Sequence, residues 1–416
     1  MAKATDNGEE KFGAAPHERP VPRISIQAFC EFPDTGAALQ RAAADRRLAK
    51  ADINVQLGGI DAAVEHLSGH VTPNLLIVET RLQGQSALEE VDRLAEVCDP
   101  ATKVVVVGRV NDVHLYRELI RRGVSEYLVA PVHPLHLIEV ISGLYLDPDA
   151  QPIGRVVSFV GARGGVGAST LAHNTGWCIA ERLHINTAVV DLDLPFGTLG
   201  LDFNEEAGQG VADALSAPER LDDVLLDRLL LKAGEHLSLF TAPAQLERSY
   251  DAEPEAFEAV LDAVRKVNPC VVVDLPHVWA PWVRQTLLAS DEIVIVAAPD
   301  LASLRNAKGI ADLLKQNRAN DAPPKLVLNQ VGTPKRPEIP VKDFSETVGL
   351  PPSLIMPFEP ALYGSAANNG QMLAEVQPRS ASAEGIATLA ELLTGRAAQG
   401  AAKGSLFSMF KARKQA

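Results

Sequence analysis

Gly161-Ala162-Arg163-Gly164-Gly165-Val166-Gly167-Ala168-Ser169-Thr170 lies near the middle of the chain and decides how its second half is read. An apolar run, Val156 to Val160, leads into it, and a helix-forming stretch, Leu171 to Glu181, follows. A strand, a glycine-rich turn and a helix in that order are the setting a phosphate-binding loop requires. Glycines at 161, 164, 165 and 167 let the backbone curl so that N–H groups meet phosphate oxygens. The helix N-terminus adds a potential that favours an anion. Ser169 or Thr170 offers the hydroxyl that holds Mg²⁺ in such loops. The lysine that usually precedes that hydroxyl is replaced by Ala168, and the loop's own cation is Arg163.

Outward from the loop, further segments follow in order. Val189-Val-Asp191-Leu-Asp193 closes an apolar run with two carboxylates two residues apart, hence on one face of a strand. Val271-Val-Val-Asp274 ends another apolar run on an acid. Asp291-Glu-Ile-Val-Ile-Val-Ala-Ala-Pro299 precedes Ser303-Leu-Arg305-Asn, and Leu328-Asn329-Gln comes later. Any one of these acids alone would read as a helix cap or turn former. Their order behind a phosphate loop points to a nucleotide site instead. Apolar runs at 156–160, 187–190, 237–240, 271–273, 293–297 and 326–328 give the expected strands of a larger α/β domain.

Arg-Gly-Gly-Val-Gly-Ala-Ser-Thr resembles the ParA/MinD pattern Lys-Gly-Gly-x-Gly-Lys-Thr with both lysines altered. The resemblance covers roughly residues 155–395 and implies a P-loop NTPase domain with a mostly parallel sheet, binding ATP and Mg²⁺. It implies that Gly161, Gly164, Gly165, Val166, Gly167, Ala168, Ser169 and Thr170 form the cradle, with Ser169 on the metal and Asn329 at the adenine base. It also implies that Asp274 meets Mg²⁺ through water and that the segment with Asp191 and Asp193, the candidate catalytic acids, places one Asp near the attacking water and the metal. In that family the first lysine of the loop reaches a partner subunit's nucleotide, a role that falls to Arg163 here. One charged contact to phosphate contributes about 1.5–3 kcal/mol. The backbone cradle can survive its loss, but a transition state depends more steeply on such charge. The expectation is nucleotide binding with slow hydrolysis, or hydrolysis only in a homodimer that supplies Arg163 from its partner.

The first half alternates short apolar runs with helical stretches from Ile24 to Leu144, five βα units in all. Continuous apolar runs of this length indicate a parallel sheet covered on both faces, and five units make a doubly wound domain. The ending Glu126-Tyr-Leu-Val-Ala-Pro131 resembles the receiver of two-component regulators, which implies a flavodoxin-like fold. Receiver chemistry needs an acceptor Asp, an acidic metal pair and a lysine. Here Glu79, Cys30 with Glu31, and Ala130 stand at those places, so phosphotransfer is not expected. Glu79 is expected to be a solvated strand-end acid, and the domain a protein-binding or localisation module.

The domain boundaries expected are a disordered segment 1–20, a pseudo-receiver 21–147, an ATPase domain 148–397 and a basic amphipathic tail 398–416. In that tail Leu406, Phe407, Met409 and Phe410 share one side of a helix, flanked by Lys411 and Lys414. This resembles the short membrane anchor of MinD and implies weak membrane association that a dimer would strengthen. The four cysteines are far apart, which fits reduced thiols in a cytoplasmic protein, and no apolar segment is long enough to span a bilayer. The net charge of -14 argues against non-specific nucleic-acid binding, and no specific nucleic acid is expected as a partner.

A pseudo-receiver joined to this altered loop resembles the CpaE/TadZ family of localisation ATPases in Flp/Tad pilus assembly. The phrase Tyr363-Gly-Ser-Ala-Ala-Asn-Asn-Gly370 is similar to that group as well. The resemblance implies a cytoplasmic protein at the inner face of the membrane or the cell pole that recruits the pilus secretion machinery. Two other readings stand beside it: a nucleotide-independent scaffold, for which Ala168 argues, and a ParA-like DNA-partitioning ATPase.

Overall fold

The computed structural model describes residues 20–145, 153–205, 210–247 and 252–396. The expected disordered segment 1–20, except for its last residue, most of the linker and the whole amphipathic tail therefore lie outside the described residues. The chain divides into two compact units, one from its first half and one from its second, with the short segment Asn317–Asp321 grouped with the first.

The first unit holds β1 (Ser25–Cys30), β2 (Asp52–Leu57), β3 (Leu75–Glu79), β4 (Lys103–Gly108) and β5 (Glu126–Val129). All pair in parallel in the order β2-β1-β3-β4-β5, the flavodoxin-like winding. The period-2 geometry of a strand explains why β3 needs an unbroken apolar run. Leu75 and Ile77 enter one core with Val105, Val107 and Leu137, while Leu76 and Val78 enter the other with Val91, Val106 and Leu115. Each such side chain contributes roughly 1.5–3 kcal/mol on burial.

The Ala-rich stretch from Thr35 to Lys50 is not one continuous helix: the chain forms Pro33–Ala43 and then a single 3₁₀ turn, Arg46–Leu48. The break comes at Asp45, whose carboxylate accepts from the Arg47 N–H at 3.0 Å and so competes with helical bonding.

Glu79 is not a solvated acid. It is 1% exposed. Its Oε2 accepts from the N–H groups of Glu31 and Phe32 at 3.0 Å each, and its Oε1 from the Thr35 hydroxyl at 2.8 Å. The helix Pro33–Ala43 has no capping side chain of its own. Glu79 reaches it from the neighbouring strand and satisfies the amides at its start. Burial and the Glu79 charge together push the Cys30 thiol up to about 12. The carboxylate that stands at the acceptor's place is thus spent on hydrogen bonds within the fold.

The second unit holds β6 (Arg155–Gly161), β7 (Thr187–Asp191), β8 (Leu231–Lys232), β9 (Leu237–Phe240), β10 (Cys270–Leu275), β11 (Glu292–Ala297), β12 (Lys325–Val331) and β13 (Pro352–Pro357). Their order is β13-β12-β11-β6-β10-β7-β9-β8, parallel except for the β8–β9 edge. Alternation again divides each strand between two cores: Val156, Val160, Val271 and Val273 face one, Val157, Phe159 and Val272 the other. The expected strands are all present, but β8 and β13 were not anticipated. Pro352 and Pro357 bound β13 and read as turn residues, yet at a sheet edge a missing N–H costs no ladder bond. β6 sits between β10 and β11, so the winding reverses beside it. The crevice at the carboxyl ends of these strands is where an open α/β sheet binds its ligand.

Candidate functional site

The loop from β6 enters the helix Ala168–Leu183, so all ten residues of the motif lie at that crevice. Gly165 (φ +76°) and Gly167 (φ +86°) adopt left-handed backbone, which explains glycine at both places. A Cβ on Gly167 would also stand 2.6 Å from Asn329 Nδ2.

Five carbonyls of the loop are held by side chains. His277 Nδ1 donates to Gly161 O at 3.1 Å, Asn306 Nδ2 to Ala162 O at 2.7 Å, and Arg163 Nη1 to Gly164 O at 3.0 Å. Gln330 Nε2 donates to Gly165 O at 2.9 Å and Asn329 Nδ2 to Val166 O at 2.8 Å. In a planar trans peptide the N–H points opposite to its C=O. Fixing the carbonyls therefore aims the following amides the other way. Among the described residues, the N–H groups of Arg163, Gly164, Gly165, Val166 and Gly167 have no protein acceptor. Together with the open first turn of the helix, this set of donors fits the oxygens of a polyphosphate. Ser169 and Thr170, both half-buried, begin the helix beside them.

Arg163 is engaged within its own chain. Its Nε and Nη2 lie 3.0 and 2.9 Å from Asp300 Oδ2. Burial alone would raise the Asp300 carboxyl, but bonds from Ser303 and Arg163 hold it below the usual carboxylate range. Asn329, 3% exposed, spends its amide on Val166 and its Oδ1 on the N–H of Gln330 at 2.8 Å, so in this structure it clamps the loop.

The acids lie under the loop. Asp191 ends β7, Asp274 is the penultimate residue of the neighbouring β10, and the two pair directly in register. Asp191 is fully buried; its Oδ1 accepts from Asp193 N at 3.0 Å and its Oδ2 from Leu199 N at 3.1 Å. Burial, with the Asp274 charge beside it, raises the Asp191 carboxyl to about 7. Asp193 is half-buried and turns the chain by accepting from Phe196 N at 3.2 Å. Burial also raises its carboxyl. Asp274 is 2% exposed, and its Oδ1 has no hydrogen-bond partner. An orphaned, buried carboxylate oxygen below a phosphate cradle fits a water-bridged cation.

Sequence reasoning missed His173. It sits on the inner face of the helix Ala168–Leu183 and is wholly buried. Its Nδ1 lies 2.7 Å from Asp202 Oδ2 and its Nε2 3.4 Å from Asp274 Oδ2. Burial would lower the imidazole, but the bonds and charges of Asp202, Asp274 and Asp191 outweigh it and raise it to about 10. The available signal was its place one turn after Thr170, on the face that meets β10. Nothing in the sequence alone named its partners.

The fold and this site define a P-loop protein of the ParA/MinD type. The chain belongs to the family described as "Cellulose biosynthesis protein BcsQ", whose pattern matches residues 155–392. A ParA family ATPase from Chlorobium tepidum TLS is 29% identical, with 57% of this chain and 98% of that one covered and a TM-score of 0.52. The septum site-determining protein MinD of Pyrococcus horikoshii OT3, solved with Mg-ADP, has the same fold at 20% identity; 58% and 96% are covered, with a TM-score of 0.51. The first half is 52% identical to a pilus assembly protein CpaE from Caulobacter crescentus CB15, covering 31% of this chain and 98% of that one, with a TM-score of 0.30.

Proposed function

We propose that the chain is an ATP-binding localisation factor for Flp/Tad pilus assembly. In this reading the pseudo-receiver and the ParA/MinD-type domain act together as a nucleotide-dependent homodimer that marks a pole or membrane site and recruits the pilus secretion machinery. The observation that carries the nucleotide part is the loop whose carbonyls are tied outward and whose amides are left without protein partners. Gly161, Gly164, Gly165, Val166, Gly167, Ala168, Ser169 and Thr170 would surround the phosphates. Ser169 would hold Mg²⁺ directly and Asp274 would meet it through water, with Asp191 and Asp193 at the water's side of the site. The metal's part is to spread the charge of the triphosphate. The pilus part is supported by the 52% identity of the first domain to CpaE.

Dimerisation is supported by apolar side chains beside the loop. Val278, Trp279 and Leu301 are 50%, 55% and 74% exposed, and Leu301 follows the Asp300 that holds Arg163. Arg163 would exchange Asp300 for a partner's phosphate when two cradles meet. No helix among the described residues is long and apolar enough to cross a membrane. Membrane association would fall to the basic tail.

A nucleotide-independent scaffold is the second reading, favoured by Ala168 and by the Arg163–Asp300 pair. Calorimetric titration of the full chain with ATP and Mg²⁺ separates the two. Saturable one-to-one binding, with dimer formation in ultracentrifugation, supports the switch. Absence of binding for both ATP and ADP leaves the scaffold.

A further inference from the structure

His173, Asp191 and Asp274 come from three different elements, yet one possible ligand atom from each lies within 4.8 Å of the others, and all three residues are buried. The proposed nucleotide chemistry uses Asp274 only through its unpartnered Oδ1 and makes no use of His173. We infer that His173 Nε2, one Asp191 oxygen and Asp274 Oδ2 form a protein-only site for a divalent ion of the Zn²⁺ or Co²⁺ class, separate from the Mg²⁺ that a nucleotide brings.

The ring orientation is the first argument. His173 Nδ1 faces Asp202 Oδ2 at 2.7 Å, so that nitrogen carries a proton and donates it, and Nε2 offers its lone pair once the ion has displaced the proton it holds towards Asp274. A carboxylate behind one imidazole nitrogen with the other turned inward is the usual support for a metal-binding histidine. Nε2 makes no hydrogen bond of good geometry, only the 3.4 Å approach to Asp274 Oδ2, although the residue is 0% exposed. A buried polar atom so poorly satisfied calls for an explanation.

Distance is the second argument. Nε2 and Asp274 Oδ2 are 3.4 Å apart, long for a hydrogen bond. Ligands about 2.0–2.1 Å from a tetrahedral ion stand roughly 3.3–3.4 Å from one another. The separation therefore matches one edge of a coordination tetrahedron.

Charge is the third. Three carboxylates, Asp191, Asp202 and Asp274, converge on a single buried imidazole. Three carboxylates carry more negative charge than one imidazolium balances. A divalent ion supplies the balance, and binding it releases protons to solvent. One nitrogen with two oxygens favours Zn²⁺ or Co²⁺ over Mg²⁺, which prefers oxygen and retained water.

The test uses the full chain, freed of metal and nucleotide, titrated with Co²⁺ and followed by its visible ligand-field bands. Wild type should bind one equivalent with the intense bands of a four-coordinate nitrogen–oxygen site, and Mg²⁺ should not displace it. Asp202→Asn should weaken Co²⁺ about 10- to 100-fold by removing the support behind the ring. His173→Gln should weaken it at least as much. If His173→Gln fails to fold, Asp202→Asn alone decides. The idea is overturned by no stoichiometric binding, by a variant that binds like wild type, or by a sulfur-to-cobalt charge-transfer band assigning the ion to cysteine. Nucleotide takes no part in the titration, so failure of ATP binding and failure of this site are read separately.

Discussion

Gly167→Ala is the substitution whose cost the structure defines best. Gly167 has φ +86°, a backbone that an L-residue adopts at a cost of roughly 1–2 kcal/mol. The added Cβ would meet Asn329 Nδ2 at 2.6 Å, so Asn329 must withdraw from Val166 O. Leaving that buried carbonyl without a donor costs about 1–3 kcal/mol. The two terms give a loss of about 2–5 kcal/mol from the second domain. Gly164→Ala is the control: its φ is not positive, and its nearest contact is His277 Cδ2 at 4.0 Å. Its loss should stay within about 0.5 kcal/mol, as at an ordinary surface position. The chain's three tryptophans, Trp177, Trp279 and Trp282, all belong to the second domain. Tryptophan fluorescence during urea unfolding therefore reports this domain separately from the pseudo-receiver. The same samples titrated with a fluorescent ADP analogue should show weakened binding for Gly167→Ala. Equal stability of the two variants would refute the account of the loop as a cradle held in shape by Asn329.

Other outcomes follow from the same geometry. Arg163→Ala should cost the isolated protein little, because its pair with Asp300 is partly exposed (37% and 25%) and such pairs contribute about 0.2–1 kcal/mol. The same change should weaken ATP in the dimer by about 10- to 150-fold, equivalent to 1.5–3 kcal/mol, as measured by calorimetry. Ala168→Lys should restore the missing charge, tightening ATP by a similar factor and raising phosphate release in a turnover assay. Glu79→Ala removes the acceptor of three hydrogen bonds and should destabilise the first domain by about 3–5 kcal/mol. Faster hydrogen exchange at the Glu31 and Phe32 amides with an unchanged tryptophan transition would show it.

Burial would raise the Asp45 carboxyl, but bonds from Arg47 outweigh it and hold it below its ordinary value. A depressed carboxylate stabilises the fold fully above its unfolded value near 3.8 and loses that contribution as pH falls further. Asp45→Asn should therefore differ from wild type in acid unfolding near neutrality and converge with it as the pH drops below about 4.

What the sequence determined on its own is the layout that depends on local pattern. Unbroken apolar runs such as Leu75 to Val78 and Val271 to Val273 could only be strands covered on both faces, because successive side chains point to opposite sides. The glycines at 165 and 167 announced a turn that only glycine makes without strain, and the order of loop, acids and Asn329 pointed to its chemistry. Elements written against type were illegible: β13 is framed by prolines, and its edge position, a tertiary fact, is what permits it.

Tertiary structure alone decided who meets whom. Glu79 read as a solvated acid until the fold set it against two amides and a hydroxyl 44 to 48 residues earlier. Arg163 was expected to reach a partner's nucleotide, and only the fold brought Asp300, 137 residues on, within 2.9 Å of it. His173 carried no signal, since Asp191, Asp202 and Asp274 converge on it from separate segments. The physical reason is common to all three. A side chain's charge state and task depend on partners within a few ångströms, and in a doubly wound sheet those partners are supplied by strands far apart in the chain.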